Sequence, residues 1–164
     1  MHQLVDIVSK NGNLLLSIPM KGDGTIDSLE VKFLKGMSEW MKINGEAIYG
    51  SRPWKVFGEG PTNVESGMFN ENKIKFTYED IRFTKVDNSI YIFIMGLPQK
   101  NHIIVNSLGA NSKLSDDINI LNISLLGSDE KVNWSQNANG LNIELSDFSN
   151  FKYALVLKVE SINN

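Results

Sequence analysis

The chain has 164 residues, 41% of them apolar, enough to bury an ordinary core in one domain or two small ones, which argues against disorder. Its 16 basic and 19 acidic residues leave a net charge of −3, and the lysines are scattered, so no patch is ready to neutralise phosphates and nucleic acid is set aside as a partner. Cysteine is absent, which removes disulfide frameworks, thiol chemistry and cysteine-ligated metal.

Met1 to Lys10 carry an acid and no apolar run of signal-peptide length, and no later segment has the ~20 uninterrupted apolar residues of a membrane span. A soluble chain without a membrane partner is expected. Leu4, Val5 and Val8 share one helical face and Asn11-Gly12 tolerates a left-handed ending, so Met1 to Lys10 reads as the tail of a helix. Asn13 to Ile18 is a short, almost wholly apolar run bounded by turn residues, which suits a strand covered on both faces as in a parallel sheet. After Gly22 and Gly24, Asp27 with Glu30 forms a capping box, and Leu29, Phe33, Met37, Trp40 and Met41 recur at helical spacing. A helix over Asp27 to Asn44, stopped by Gly45, is predicted. One parallel strand cannot make a sheet alone, so this αβα segment is expected to be part of something larger.

Gly50, Pro53, Gly58, Gly60 and Pro61 mark a change of character. Beyond it the period is two: Ile74, Phe76 and Tyr78 alternate with Lys73, Lys75 and Thr77, and Leu141, Ile143, Leu145 and Leu155, Leu157, Val159 are spaced likewise. Asp87-Asn88 links Ile81-Val86 to Ser89-Ile94 as a hairpin, and Asn139-Gly140 precedes another strand. The two regions are therefore 1–50, an αβα segment, and 51–164, an antiparallel β-sandwich, an α+β combination overall.

Leu4 to Leu16, followed by Gly22-Asp23-Gly24-Thr25-Ile26, resembles the end of the catalytic barrel in family 29 of the glycoside hydrolases, the α-L-fucosidases. Trp40 to Gly50 and Arg52-Pro53-Trp54 are similar, in order and spacing, to the family's segment leaving the last barrel helix. Pro19-Met20-Lys21 differs, since many relatives carry Gly-Pro there. The resemblance implies that Asn13 to Ile18 is the last strand and Asp27 to Asn44 the last helix of a (β/α)8-type barrel, with 51–164 as the C-terminal β-sandwich. It implies hydrolysis of α-L-fucosyl linkages in fucosylated glycans by a parent enzyme that is secreted, periplasmic or lysosomal, with no cofactor. It also implies that the N-terminal barrel is the segment's partner.

Retaining glycosidases need two carboxyl groups ~5 Å apart. In the family these come from earlier barrel segments, so no catalytic residue maps onto this chain, and the chain alone is expected to be inactive. Lys21 and Asp23 are the candidate substrate-binding residues, because the loop after a barrel strand opens toward the pocket rim. Asp23 between two glycines also reads as a turn-shaping residue, and Lys21 as a solvated lysine. Glu46 and Arg52 are assigned structural roles, with Tyr49 and Trp54 filling the joint between barrel and sandwich. The acidic pairs Glu79-Asp80, Asp116-Asp117 and Asp129-Glu130 lack the oxygen ladder of a calcium loop, and His2 and His102 do not make a metal site. Trp134 and Tyr153 could stack on sugar only if they shared an exposed face. Sequons begin at Asn122 and Asn133. A carbohydrate-binding sandwich and a non-catalytic interaction protein are the competing functions.

Overall fold

The computed structural model describes residues 1–64, 74–98, 100–148, 151 and 153–163. In chain order these form helices α1 (His2–Ser9) and α2 (Ser28–Asn44), then strands β1 (Arg52–Glu59), β2 (Ile81–Val86), β3 (Ser89–Ile94), β4 (His102–Val105), β5 (Ile118–Leu125), β6 (Asn133–Asn137), β7 (Gly140–Glu144) and β8 (Leu155–Asn163). The strands build two antiparallel sheets, β1-β2-β3-β8-β5 and β4-β7-β6. The expected β-sandwich is present, with the helices preceding it in the chain.

Local chemistry accounts for the element ends. Asn11 takes φ +64, and Gly12 N–H reaches back to Ile7 O at 2.8 Å while Asn11 N–H reaches Val8 O at 3.0 Å, a Schellman ending for α1. At the start of α2, the Asp27 carboxylate accepts from Leu29 N–H at 2.8 Å. Asp87 adopts φ +50, which lets Val86 pair directly with Ser89 across a two-residue turn.

Period-two alternation gives the five-stranded sheet two apolar faces. Ile90, Ile92 and Ile94, with Phe83, Leu155 and Leu157, pack in one cluster with Ile103, Val105, Leu141 and Ile143 of the smaller sheet. Tyr91, Phe93, Met95 and Val156 point the other way and join Val5 of α1, Trp40 of α2 and Ala47. Strand β3 is consequently buried on both faces, which explains its unbroken run Ile-Tyr-Ile-Phe-Ile. The order of layers is helices, large sheet, small sheet.

Four local expectations differ from the structure. No strand forms over residues 13–18, where Leu15 is 95% exposed, because among the described residues no strand lies beside this run to accept its backbone hydrogen bonds. Residues 74–78 keep their alternating burial without joining a ladder, and Lys73 lies outside the described residues. There the buried Asp80 carboxylate draws the backbone into a loop by accepting from Thr62 and Thr77. The α-helix ends at Asn44 with Gly45 as its C-cap, as expected, but Gly45 makes no left-handed stop. It is right-handed (φ −61) and opens a 3-10 turn, Gly45–Ala47, and the left-handed glycine comes later at Gly50. The buried stripe of α1 is Val5, Asp6 and Ser9, with Leu4 and Val8 only half-buried, because Asp6 meets a charge on the sheet.

Candidate functional site

The loop carrying Lys21 and Asp23 is a small exposed hairpin. Met20 bridges Ile26, Lys21 N–H donates to Thr25 O at 2.8 Å, and Gly24, at φ +82, donates its N–H to Lys21 O at 2.9 Å. Asp23 Oδ1 accepts from the Thr25 hydroxyl at 2.7 Å and from Thr25 N–H at 3.0 Å. Those bonds hold its carboxyl below the usual carboxylate range. The loop thus keeps Asp23 ionised and fixed in its own turn. Lys21 pairs not with Asp23 but with Asp27 at the start of α2, Nζ to Oδ2 3.6 Å. The structure places both residues on one turn, facing solvent.

Beside that turn the chain exposes an apolar surface. Leu15, Met20, Ile26, Leu29 and Phe33 are 95%, 71%, 41%, 74% and 46% exposed, although the last two sit on the apolar stripe of α2. A groove of about 580 Å³ runs along this helix, lined by Leu29, Phe33, Gly36, Met37 and Tyr153. Toward its C-terminal end α2 docks: Trp40 is buried, and its Nε1–H donates to Ala154 O at 3.2 Å beside β8. Trp40 and Asn44 are the buried residues of α2, while Leu29 and Phe33 on its first turns present apolar side chains to solvent.

The joint between helices and sandwich includes residues that the sequence did not single out. Arg82 of β2 donates from Nε to Asp6 Oδ1 of α1 at 2.6 Å, with both residues buried. Thr84 Oγ1 donates to Ala47 O at 2.8 Å. The expectation for Tyr49 is corrected: it is 70% exposed, its ring lying over Gly45. Trp54 is buried inside the sandwich, tilted against Phe83 at 5.0 Å, and does not fill the joint. Glu46 accepts from the Tyr91 hydroxyl at 3.3 Å and pairs with Lys158 at 3.5 Å; burial and the Glu46 charge together push the Tyr91 hydroxyl up and keep it a donor. Arg52 donates to its neighbour Ser51 O. A signal for Asp6 existed, an acid inside an otherwise apolar helical stripe, but its partner lies 76 positions away.

The remaining candidates separate. Trp134 packs against the sandwich core while Tyr153 leans on Gly36 of α2, so the two aromatics share no platform. His102 sits at the exposed start of β4 with Nε2 3.2 Å from Asn142 Oδ1. His2 meets Phe76 edge-on at 5.7 Å. Asp80 uses both oxygens on Thr62 and Thr77, and Asp117 is engaged by Lys55.

Two family models match the chain, α-L-fucosidase over residues 1–46 and the α-L-fucosidase C-terminal domain over residues 74–160. Human plasma α-L-fucosidase is 33% identical over 144 residues, covering 87% of this chain and 27% of the relative. Rat tissue α-L-fucosidase is 27% identical over 135 residues, covering 82% and 24%. A solved structure of Thermotoga maritima α-fucosidase in complex with fucose superposes with a TM-score of 0.71 at 29% identity, over 96% of this chain and 33% of that one. The chain therefore spans about a quarter of the length of these curated relatives and corresponds to their C-terminal portion. With its sandwich matched by the C-terminal domain model and its helical segment by the α-L-fucosidase model, the chain belongs to the α-L-fucosidase family.

Proposed function

We propose that the chain is the structural C-terminal segment of a retaining α-L-fucosidase, with residues 1–50 completing a (β/α)8-type catalytic barrel and 51–164 forming the sandwich that holds them in place. The observation that carries this reading is the apolar surface on Leu15, Met20, Ile26, Leu29 and Phe33, contiguous in sequence with the loop of Lys21 and Asp23. Each such side chain left in water forgoes about 1.5–3 kcal/mol, a loss that covering by a barrel removes. Relatives roughly four times as long supply a candidate cover. Residues 13–18 then pair as the last barrel strand, and Lys21 and Asp23 stand at the pocket rim, because loops following barrel strands line the active site. The two catalytic carboxyl groups come from the preceding barrel, and fucosylated glycans are the substrates.

The test is complementation. A relative lacking its corresponding C-terminal quarter is mixed with this chain, and turnover of 4-nitrophenyl α-L-fucoside is followed. Turnover is expected from the mixture, not from either part, and its loss is expected with Leu29→Glu combined with Phe33→Lys. Turnover by the 164-residue chain alone that vanishes on Asp23→Asn would overturn the reading.

A further inference from the structure

We propose that the outward face of the three-stranded sheet binds a neutral oligosaccharide through an array of amide, hydroxyl and imidazole side chains. Strand register assembles this face from chain-distant residues: His102 lies opposite Glu144, which lies opposite Asn133, and one step along, Asn142 lies between Ile104 and Ser135. The alternate residues Ile103, Val105, Leu141 and Ile143 point inward to the core. Asn and Ser are depleted in strands, and their use at outward positions of β6 and β7 costs local stability that a water-facing sheet has no need to give up. Departures of this kind from local preference concentrate at functional sites.

Asn137 has a structural reason for its identity, since its Oδ1 accepts from Asn139 N–H and Gly140 N–H in the hairpin turn. Asn133, Ser135 and Glu144 do not: among the described residues their side chains have no hydrogen-bond partner. Asn142 is already oriented. Its Oδ1 lies 3.2 Å from His102 Nε2 and its Nδ2 donates to Gly140 O at 3.2 Å, which fixes the plane of the amide. A depression of about 270 Å³ opens at this end of the sheet, lined by Asn101, His102, Asn133, Glu144 and Ser146.

The chemistry selects the ligand class. An amide offers a donor and an acceptor side by side, which matches the vicinal hydroxyl pairs of a pyranose. Among the described residues the three strands turn outward one carboxylate and one imidazole, with Glu79 and Lys100 beside His102 and Ile104 at the β4 edge and no cluster of cations, so phosphate-bearing ligands are poorly matched. Trp134 is turned toward the core and Tyr78, which lines a groove with His102 and Ile104, is half-buried against that core, so among the described residues little aromatic surface is offered for stacking and affinity in the millimolar range is expected. The assignment rests on this face alone and stands apart from the catalytic reading.

The ¹⁵N-labelled 164-residue chain is titrated with 2′-fucosyllactose, lactose and cellobiose, each to about 50 mM, and followed by NMR. At least one sugar is expected to shift the side-chain amides of Asn133 and Asn142 and the backbone amides of Ser135 and Glu144 along one saturating curve. Asn142→Thr and Ser135→Thr should each raise the midpoint at least about tenfold while holding or raising the Tm, since Thr suits a strand better. No shift on this face with any of the three sugars, shifts confined to the α2 groove, or unchanged binding by both variants overturns the proposal. Complemented fucoside turnover should be unaffected by these two variants, so failure here and failure of the fucosidase reading give different results.

Discussion

Arg82 of β2 and Asp6 of α1, 76 positions apart, share a buried 2.6 Å ion pair that fastens the helical segment to the sandwich. The guanidinium is flanked by the rings of Phe57 and Phe76, at 5.4 and 5.3 Å, and the second Asp6 oxygen receives Lys10 Nζ at 2.7 Å. Two cations thus surround one carboxylate in a site from which water is largely excluded. Removing Asp6 strands the buried Arg82 guanidinium, whereas removing Arg82 leaves Asp6 with Lys10.

Asp6→Ala is expected to destabilise the chain by about 3–5 kcal/mol, the usual result of leaving one member of a buried pair uncompensated. Asp6→Leu combined with Arg82→Met should recover most of that loss, because no buried charge remains. Urea denaturation of the three proteins measures this. A single variant that matches the double within error would show that the pair is not the fastening.

Gly58 lies where β1 passes over Arg82, and a Cβ there would stand 2.3 Å from Ile81 O and 2.7 Å from Arg82 Cδ. The first contact is backbone and cannot swing aside. Gly58→Ala should therefore cost about 1–3 kcal/mol through forced displacement of the β1–β2 pairing, visible as a lowered thermal midpoint.

Stability should rise with pH through the acid range because of Asp80. Burial alone would raise its carboxyl, but the N–H and hydroxyl groups of Thr77 and Thr62 outweigh burial and hold it below its ordinary value. A folded-state value below the unfolded one means that the unfolded chain binds more protons, so this contribution is complete above about pH 4 and is lost as pH falls through the folded value. Asp80→Asn should flatten that part of the profile and cost about 1–3 kcal/mol near neutrality, since the amide cannot accept from all four donors. An unchanged acid limb in the variant would count against the assignment.

Hydrogen exchange should divide the first fifty residues into protected and unprotected parts. Amides of β3 and β8, such as Ile92 and Leu157, sit in paired strands buried on both sides and should exchange slowest. Those of α1 and of the Trp40 to Asn44 turn should follow the sheet on which they pack. Amides at Leu14 to Leu16 belong to no ladder and should exchange close to the unprotected rate. Strong protection at Leu15 in a dilute monomer would mean that this run has found a partner within the chain.

Much of the fold was legible because its causes are local. Asp27 ahead of an apolar stripe announces a helix start, Asp87-Asn88 supplies a positive-φ residue for a hairpin, and Leu141, Ile143, Leu155 and Leu157 alternate because each strand has an inner face. The family, too, was carried by ordered local segments, 1–46 above all. Tertiary structure alone decided the rest. Residues 13–18 have the composition of a buried strand, yet a strand exists only when a neighbour accepts its hydrogen bonds, and composition does not supply the neighbour. The apolar stripe of α2 gives no hint that its Trp40 end is covered and its Leu29 end is not, because cover is a property of the surface that meets the helix. Asp6 finding Arg82, and His102, Glu144 and Asn133 falling into one row, depend on register between segments brought together by chain folding. Sequence fixes each side chain's chemistry and its alternation within an element, but which charges and amides become neighbours is set by long-range pairing, whose information is spread over the whole core.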